Sequence, residues 1–347
     1  MKFYQNNPIL NQSKMNMFFF FMLVFSTMIT INSTSWISAW MGMEINLMSF
    51  IPLMMIKNKM FKSSNSMMIY FMIQASSSSF LLFFILLNKM EIFYYKINLI
   101  DFFIQLSLLM KLGAAPFHWW TPKIINLLNW KNCFILLTWQ KLNPLILISL
   151  TKFSNLIFYS IIFSMIIGSI IGLNQTSLKL IITYSSINHI SWLMISMMLN
   201  FCIFMTYFII YFITILLISL FLNNLNINYL NQMFKNNNIN MYMKILLISL
   251  FLSLGGIPPM LGFFPKLKIL MLMIKKSLIL ESIMFIIFSL ITLLFYMYPV
   301  MSSLILYKMN SKWTLKKSNL LNFLLTIFMM NMLLSMIMIL PLTFMEN

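Results

Sequence analysis

Apolar runs long enough to cross a bilayer recur from one end of the chain to the other, with short polar stretches between them. A helix needs about 20 apolar residues to span the hydrocarbon core. Run lengths and turn signals place eleven spanning segments near 15–33, 36–56, 67–88, 98–127, 132–150, 154–173, 176–198, 201–222, 241–275, 277–303 and 320–341. The fourth and ninth are too long for one plain helix, and each holds a Gly/Pro cluster near its middle. The expected fold is an all-α polytopic membrane protein of about eleven helices, two of them discontinuous.

The two interrupted segments resemble each other. One reads Leu112-Gly113-Ala114-Ala115-Pro116-Phe117-His118-Trp119-Trp120-Thr121-Pro122-Lys123, the other Gly255-Gly256-Ile257-Pro258-Pro259-Met260-Leu261-Gly262-Phe263-Phe264-Pro265-Lys266. A constant offset of 143 positions pairs Gly113 with Gly256, Pro116 with Pro259, Pro122 with Pro265 and Lys123 with Lys266. Fourth and ninth helices are five apart, so they run in opposite directions across the bilayer. This predicts an inverted five-helix repeat: an N-terminal extension over 1–14, a first repeat over 15–150, a second over 154–303, and a C-terminal helix and tail over 320–347. Inverted repeats built around discontinuous helices are an architecture of ion and proton carriers.

Composition agrees with a lipid solvent: 61% of the 347 residues are hydrophobic and 8% charged, against about 25% charged in soluble domains. All 23 basic residues are lysine and 37 residues are methionine, a bias that fits an A+T-rich invertebrate mitochondrial gene reading an isoleucine codon as methionine. The net charge of +18 does not point to nucleic acid, because the lysines are spread over loops with no basic stripe among aromatics. Anionic lipid headgroups suffice as their partners. With the helices alternating, fourteen lysines fall on the side of the N-terminus and five on the other, so the N-terminus is expected on the cytoplasm-equivalent face. In a mitochondrion that is the matrix, with the C-terminus in the intermembrane space. The first apolar run lacks a small-residue cleavage site and is read as a retained helix.

Four lysines, Lys111, Lys141, Lys266 and Lys268, fall inside membrane segments, as does Glu44. A charge at bilayer depth costs at least ~2.5–3.5 kcal/mol on insertion scales, so such residues need partners or water and mark functional sites. Lys111 precedes the first interruption, Lys266 follows the second, and Lys141 lies mid-segment. Glu44 and Lys111 form a natural ion pair, with Lys141 and Lys266 continuing the row. Lysine suits proton carriage because its amine can release a proton when its surroundings change, which arginine does not usefully do. Each site also has a bland reading. Lys111 could cap the carbonyls of the broken helix, Glu44 could serve as a structural counter-ion, and Lys266 could snorkel, as is expected of Lys268. His118 and His189 could relay protons or simply hydrogen-bond where they stand. Lys179, near a helix end, reads first as a headgroup anchor. The run Ser76 to Ser79 reads as helix packing. Cys133 and Cys202 are isolated, so no zinc or iron–sulfur site is expected. With no nucleotide fingerprint, P-loop, Ser/His/Asp set or haem ligand pair, electron transfer is expected elsewhere.

Several stretches resemble one family closely: Trp40-Met41-Gly42-Met43-Glu44-Ile45-Asn46, Met110-Lys111-Leu112-Gly113-Ala114-Ala115-Pro116-Phe117-His118, Leu137-Thr138-Trp139-Gln140-Lys141-Leu142, Gly172-Leu173-Asn174-Gln175-Thr176, Tyr184-Ser185-Ser186-Ile187, and Gly255-Gly256-Ile257-Pro258-Pro259 with Gly262-Phe263-Phe264-Pro265-Lys266. In this order, over roughly 36–270, they resemble the chain 2 subunits of mitochondrial NADH:ubiquinone oxidoreductase, respiratory complex I, in their insect-like form. The resemblance implies a proton-pumping, antiporter-like subunit of the membrane arm in the mitochondrial inner membrane. It implies no cofactor on this chain, with NADH, FMN, iron–sulfur clusters and ubiquinone bound by other subunits. Its partners would be other membrane-arm and accessory subunits and phospholipids including cardiolipin. It further implies that Glu44, Lys111, Lys141 and Lys266 form the proton pathway, with Lys179 carried over weakly. Residues 1–14 have no match in that pattern. A stand-alone cation/proton antiporter would share the inverted repeat and the buried Lys/Glu pair, and is the alternative reading.

Overall fold

A computed structural model describes residues 8–55, 60–89, 97–152, 154–235, 241–258 and 260–305, with the side chains of 8–14, 60–62, 97–99, 233–235, 241–245 and 302–305 excepted. Among the described residues the regular secondary structure is helical apart from an isolated β-bridge between Ser177 and Tyr229. The chain divides into two compact units that meet in sequence at Phe158 and Tyr159.

The first unit contains α1 (Pro8–Ile31), α2 (Trp36–Met54), α3 (Met60–Lys89), α4 (Ile97–Leu112), α5 (Trp120–Leu127), α6 (Trp130–Leu137) and α7 (Trp139–Leu150). α1 begins at Pro8, so the N-terminal extension expected over 1–14 is helix from Pro8 onward. Proline suits a first helical position because the N–H it lacks has no partner there. α2 starts at a reciprocal cap in which the Ser35 side chain takes the Ser38 N–H and Ser38 Oγ takes the Ser35 N–H. Within this unit α3 packs against α2, α4 and α5, while α7 packs against α1, α4 and α6.

α8 (Asn155–Leu173) crosses the division in sequence. The second unit continues with α9 (Leu178–Leu199), α10 (Phe201–Leu225), α11 (Leu230–Lys235), α12 (Met241–Gly255), α13 (Phe263–Lys275) and α14 (Ile279–Ile305). α9 packs on α10 and α13, and α14 packs on α11, α12 and α13. Seventeen consecutive or near-consecutive positions of α9, from Leu178 to Met197, are buried, among them Thr183, Ser185, Ser186, Asn188, His189, Ser191 and Ser196. A helix this polar survives at membrane depth because protein surrounds it, and its serines donate to carbonyls three residues back.

Each of the ten expected segments up to residue 303 coincides with a helix or a helix pair. The eleventh, 320–341, lies outside the described residues. Among the described residues six helical stretches are long and apolar enough to cross a membrane: Trp36–Met54, Ser63–Lys89, Trp130–Leu150, Asn155–Leu173, Phe201–Leu225 and Ile279–Met301. The fourth and ninth segments are interrupted where expected. The fifth is interrupted as well, at Thr138, which was not expected. Pro144 lies inside α7 and has no N–H for the Gln140 carbonyl. The turn before it opens at Thr138, whose hydroxyl donates to the Phe134 carbonyl at 2.8 Å. The short α11, in the loop after α10, also had no apolar period to announce it.

Candidate functional site

The two Gly/Pro interruptions are built by the same backbone chemistry. α4 ends at Leu112 and α5 starts at Trp120; α12 ends at Gly255 and α13 starts at Phe263. All four boundaries obey the offset of 143. Gly113 has φ +68° and Gly256 φ +80°, left-handed values that glycine reaches without a Cβ penalty. The Gly113 N–H donates to the Met110 carbonyl and the Ala114 N–H to that of Leu109; at the second site Gly256 donates to Ser253 and Ile257 to Leu252. Both are Schellman endings, and every partner again differs by 143.

The carbonyls of the last turn at these two ends meet different side chains. In the first unit the Met110 carbonyl accepts from Trp120 Nε1 at 3.2 Å, and the Lys111 carbonyl from Gln74 Nε2 at 3.2 Å. Both donors are neutral. In the second unit Lys266 reaches back from the first turn of α13, and its ammonium donates to the carbonyls of Leu254 at 3.0 Å and Gly255 at 2.8 Å. A cation at a helix C-terminus is favoured by the helix dipole. Lys266 Nζ also stands 5.9 Å from the Trp192 ring centroid. Lys123, 143 positions before Lys266, is exposed and lies over the Trp119 ring instead.

The three lysines expected to carry protons are all buried: Lys111 is 7% exposed, Lys141 4% and Lys266 6%. Each lies within about one turn of an interruption. Lys111 is in the last turn of α4, Lys141 in the first turn of α7 after Thr138, and Lys266 in the first turn of α13. Lys111 Nζ lies 3.8 Å from Met43 Sδ, so a thioether is the ammonium's neighbour, and the half-buried Glu44 is the next residue on α2.

A chain of neutral hydrogen bonds links the elements that carry these charges. Tyr70 of α3 donates to Gln140 Oε1 at 3.3 Å, and Gln140 Nε2 donates to Asn46 Oδ1 at 3.1 Å. Gln140 adjoins Lys141, and Asn46 is two residues past Glu44. Gln74, one turn after Tyr70, is the donor that holds the Lys111 carbonyl. Sequence reasoning missed Asn46, Tyr70, Gln74 and Gln140. Their signal was there, since Tyr70 and Gln74 are polar residues spaced i, i+4 on one face of α3.

The weaker candidates fall as follows. His118 is half-buried in the α4–α5 interruption, with Nδ1 3.2 Å from the Pro116 carbonyl. His189 is 5% exposed at the middle of α9 and its Nδ1 lies 2.7 Å from Tyr207 Oη. Lys179 is half-buried in the first turn of α9. Lys268 lies over the Phe264 ring at 4.2 Å. Ser76, Ser77, Ser78 and Ser79 each donate to a carbonyl three residues back, as packing within a helix requires. Cys133 is buried, its thiol facing the Ile125 and Leu128 carbonyls, and Cys202 is exposed. Among the described residues no group of three or more His, Cys, Asp or Glu side chains is placed to hold a metal.

Residues 33–292 match the family profile described as NADH:quinone oxidoreductase/Mrp antiporter, transmembrane. The NADH-ubiquinone oxidoreductase chain 2 of Anopheles gambiae is 41% identical over 309 residues, covering 87% of this chain and 90% of that protein. The protein of the same name from Locusta migratoria is 36% identical over 309 residues, covering 87% and 89%. Among solved structures, a chain of respiratory complex I from Thermus thermophilus with bound aureothin superposes with a TM-score of 0.75 at 16% identity, over 83% of this chain and 70% of that one. A chain of the membrane-bound sulfane sulfur reductase, an archaeal respiratory membrane complex, gives 0.77 at 14% identity over 99% and 76%. At these identities the structures show a shared fold.

Proposed function

The chain belongs to the NADH:quinone oxidoreductase/Mrp antiporter membrane family, and from that premise we propose that its buried lysines carry protons across the mitochondrial inner membrane. It is a proton-translocating, antiporter-like membrane subunit of NADH:ubiquinone oxidoreductase. NADH oxidation and ubiquinone reduction take place on other subunits of that enzyme, so this chain receives their energy as a change in local electrostatics. The observation that carries the reading is the placement of Lys111, Lys141 and Lys266, all buried in apolar helices and all within about a turn of an interruption. Interrupted helices supply unpaired backbone groups and room for water, which give a proton a polar route at membrane depth.

In this mechanism Glu44 moves its influence toward or away from Lys111 and changes how firmly that lysine holds its proton. The proton passes by water to Lys141, and Lys266 releases it to the intermembrane space. The two Schellman interruptions, which share two backbone hydrogen bonds at an offset of 143, support reading the two units as inverted repeats within a fold of about eleven helices. The N-terminus faces the matrix, and the lysine-rich loops meet anionic lipid, cardiolipin included. His118, His189 and Lys179 are secondary stations.

Replacing Lys141 with Met in the assembled complex tests the pathway. The expected result is a lower number of protons translocated per NADH oxidised, with the complex still assembled. An undiminished ratio removes Lys141 from the mechanism. A chain that is stable and transports cations without the large complex would favour the stand-alone antiporter instead.

A further inference from the structure

The second unit contains a cavity lined by His189 of α9, by Tyr207, Tyr211 and Thr214 of α10, and by Ser253 and Pro265 of the interrupted pair α12–α13. Leu254 is also in its wall, and the Leu254 carbonyl is one of the two that hold the Lys266 ammonium. The cavity therefore abuts the seat of Lys266. Tyr207, Tyr211 and Thr214 recur at i, i+4 and i+7, so one face of an otherwise apolar helix is polar toward α9 and the interruption.

The hydrogen bonds in this cluster have a definite direction. Ser186 Oγ donates to the Thr183 carbonyl at 2.6 Å. Ser185 Oγ likewise donates to the Ile182 carbonyl at 2.8 Å. Tyr207 is different. Its hydroxyl meets His189 Nδ1 at 2.7 Å, and imidazole nitrogen and phenol oxygen can each give or take the proton between them.

We propose that Tyr207 is a further proton-carrying residue, forming with His189 a relay that serves the helix interruption holding Lys266. A proton arriving at His189 Nε2 is matched by release of the Nδ1 proton to Tyr207 Oη, as the phenol gives its own proton to the next acceptor in the cavity. One N–H bond forms and one breaks, one O–H bond forms and one breaks, and both rings end neutral. Rotation of the phenol hydroxyl and exchange of the imidazole tautomer reset the pair. Tyr211 packs beside the histidine ring, with centroids 5.0 Å apart. The relay rests on the reading of Lys266 as a proton carrier.

The test compares Tyr207→Phe, Tyr207→His and Lys266→Met in the assembled complex, measuring protons translocated per NADH oxidised. Phenylalanine keeps the ring that lies parallel to Trp192 and loses the oxygen alone. Histidine fits that space less well but carries a proton. The expected result is a ratio at or below half the wild-type value for Tyr207→Phe, with Tyr207→His retaining more than Tyr207→Phe. A packing role gives the reverse order, and that order overturns the relay. A wild-type ratio in Tyr207→Phe alongside a lowered ratio in Lys266→Met overturns the relay while leaving the pathway standing. A wild-type ratio in Lys266→Met removes both. If Tyr207→Phe does not assemble, Tyr207→His decides in the same assay: a ratio above half of wild type supports the relay and one below half overturns it.

Discussion

Gly256→Ala is the substitution that best separates backbone strain from the placement of a charge. Gly256 has φ +80°, and a side chain in left-handed backbone costs roughly 1–2 kcal/mol. A Cβ at this position would stand 2.9 Å from Lys266 Cδ and 3.1 Å from Nζ. The lysine must move, and its ammonium then leaves one or both carbonyls, Leu254 at 3.0 Å and Gly255 at 2.8 Å. A hydrogen bond to a charged group contributes about 1.5–3 kcal/mol net. Losing one and adding the strain gives about 2.5–5 kcal/mol. The assay is thermal stability of the assembled complex together with protons translocated per NADH, and both are expected to fall. Gly256→Asn is the control. Asparagine tolerates left-handed backbone better than alanine but places a Cβ in the same spot against Lys266. It is expected to recover about 1 kcal/mol of stability, with no recovery of proton translocation. Full recovery of both by asparagine would refute the argument, because strain alone would then account for the effect.

Two further outcomes follow from other parts of the molecule. Gln74→Leu leaves the buried Lys111 carbonyl without its side-chain donor, and an unsatisfied buried group costs about 1–3 kcal/mol; the complex should melt at a lower temperature, whereas Gln74→Glu at a pH where it is protonated should lose less. Cys202 is exposed at the start of α10 while Cys133 is buried. With the N-terminus in the matrix, a membrane-impermeant maleimide added to the intermembrane-space face should label Cys202 and spare Cys133; labelling from the matrix face alone would reverse the orientation.

The helical segments and two of the three interruptions were legible because their causes are local. An apolar run of sufficient length must hydrogen-bond its own backbone in lipid, and Gly113 and Gly256 mark turns that only a residue without a Cβ enters cheaply. The buried charges were legible for the same reason, since Lys111, Lys141 and Lys266 are conspicuous in any apolar stretch. The interruption at Thr138 was harder to see. Pro144 sits six residues later inside α7, and Pro-kinked helices often continue.

What the tertiary structure decided is which partner meets which charge. The two helix ends set 143 residues apart share left-handed glycines and two backbone hydrogen bonds, yet one is closed by neutral donors from Trp120 and Gln74 and the other by the Lys266 ammonium. Nothing in the local pattern distinguishes them, because the donors come from neighbouring helices and from the rotamer of one long side chain. The same holds for the Tyr70–Gln140–Asn46 chain and for Tyr207 beside His189. A polar residue in an apolar helix announces that it needs a partner, at a cost set by lipid. Which partner it finds depends on how helices distant in sequence pack, and that is fixed by the interlocking of whole surfaces rather than by any one segment.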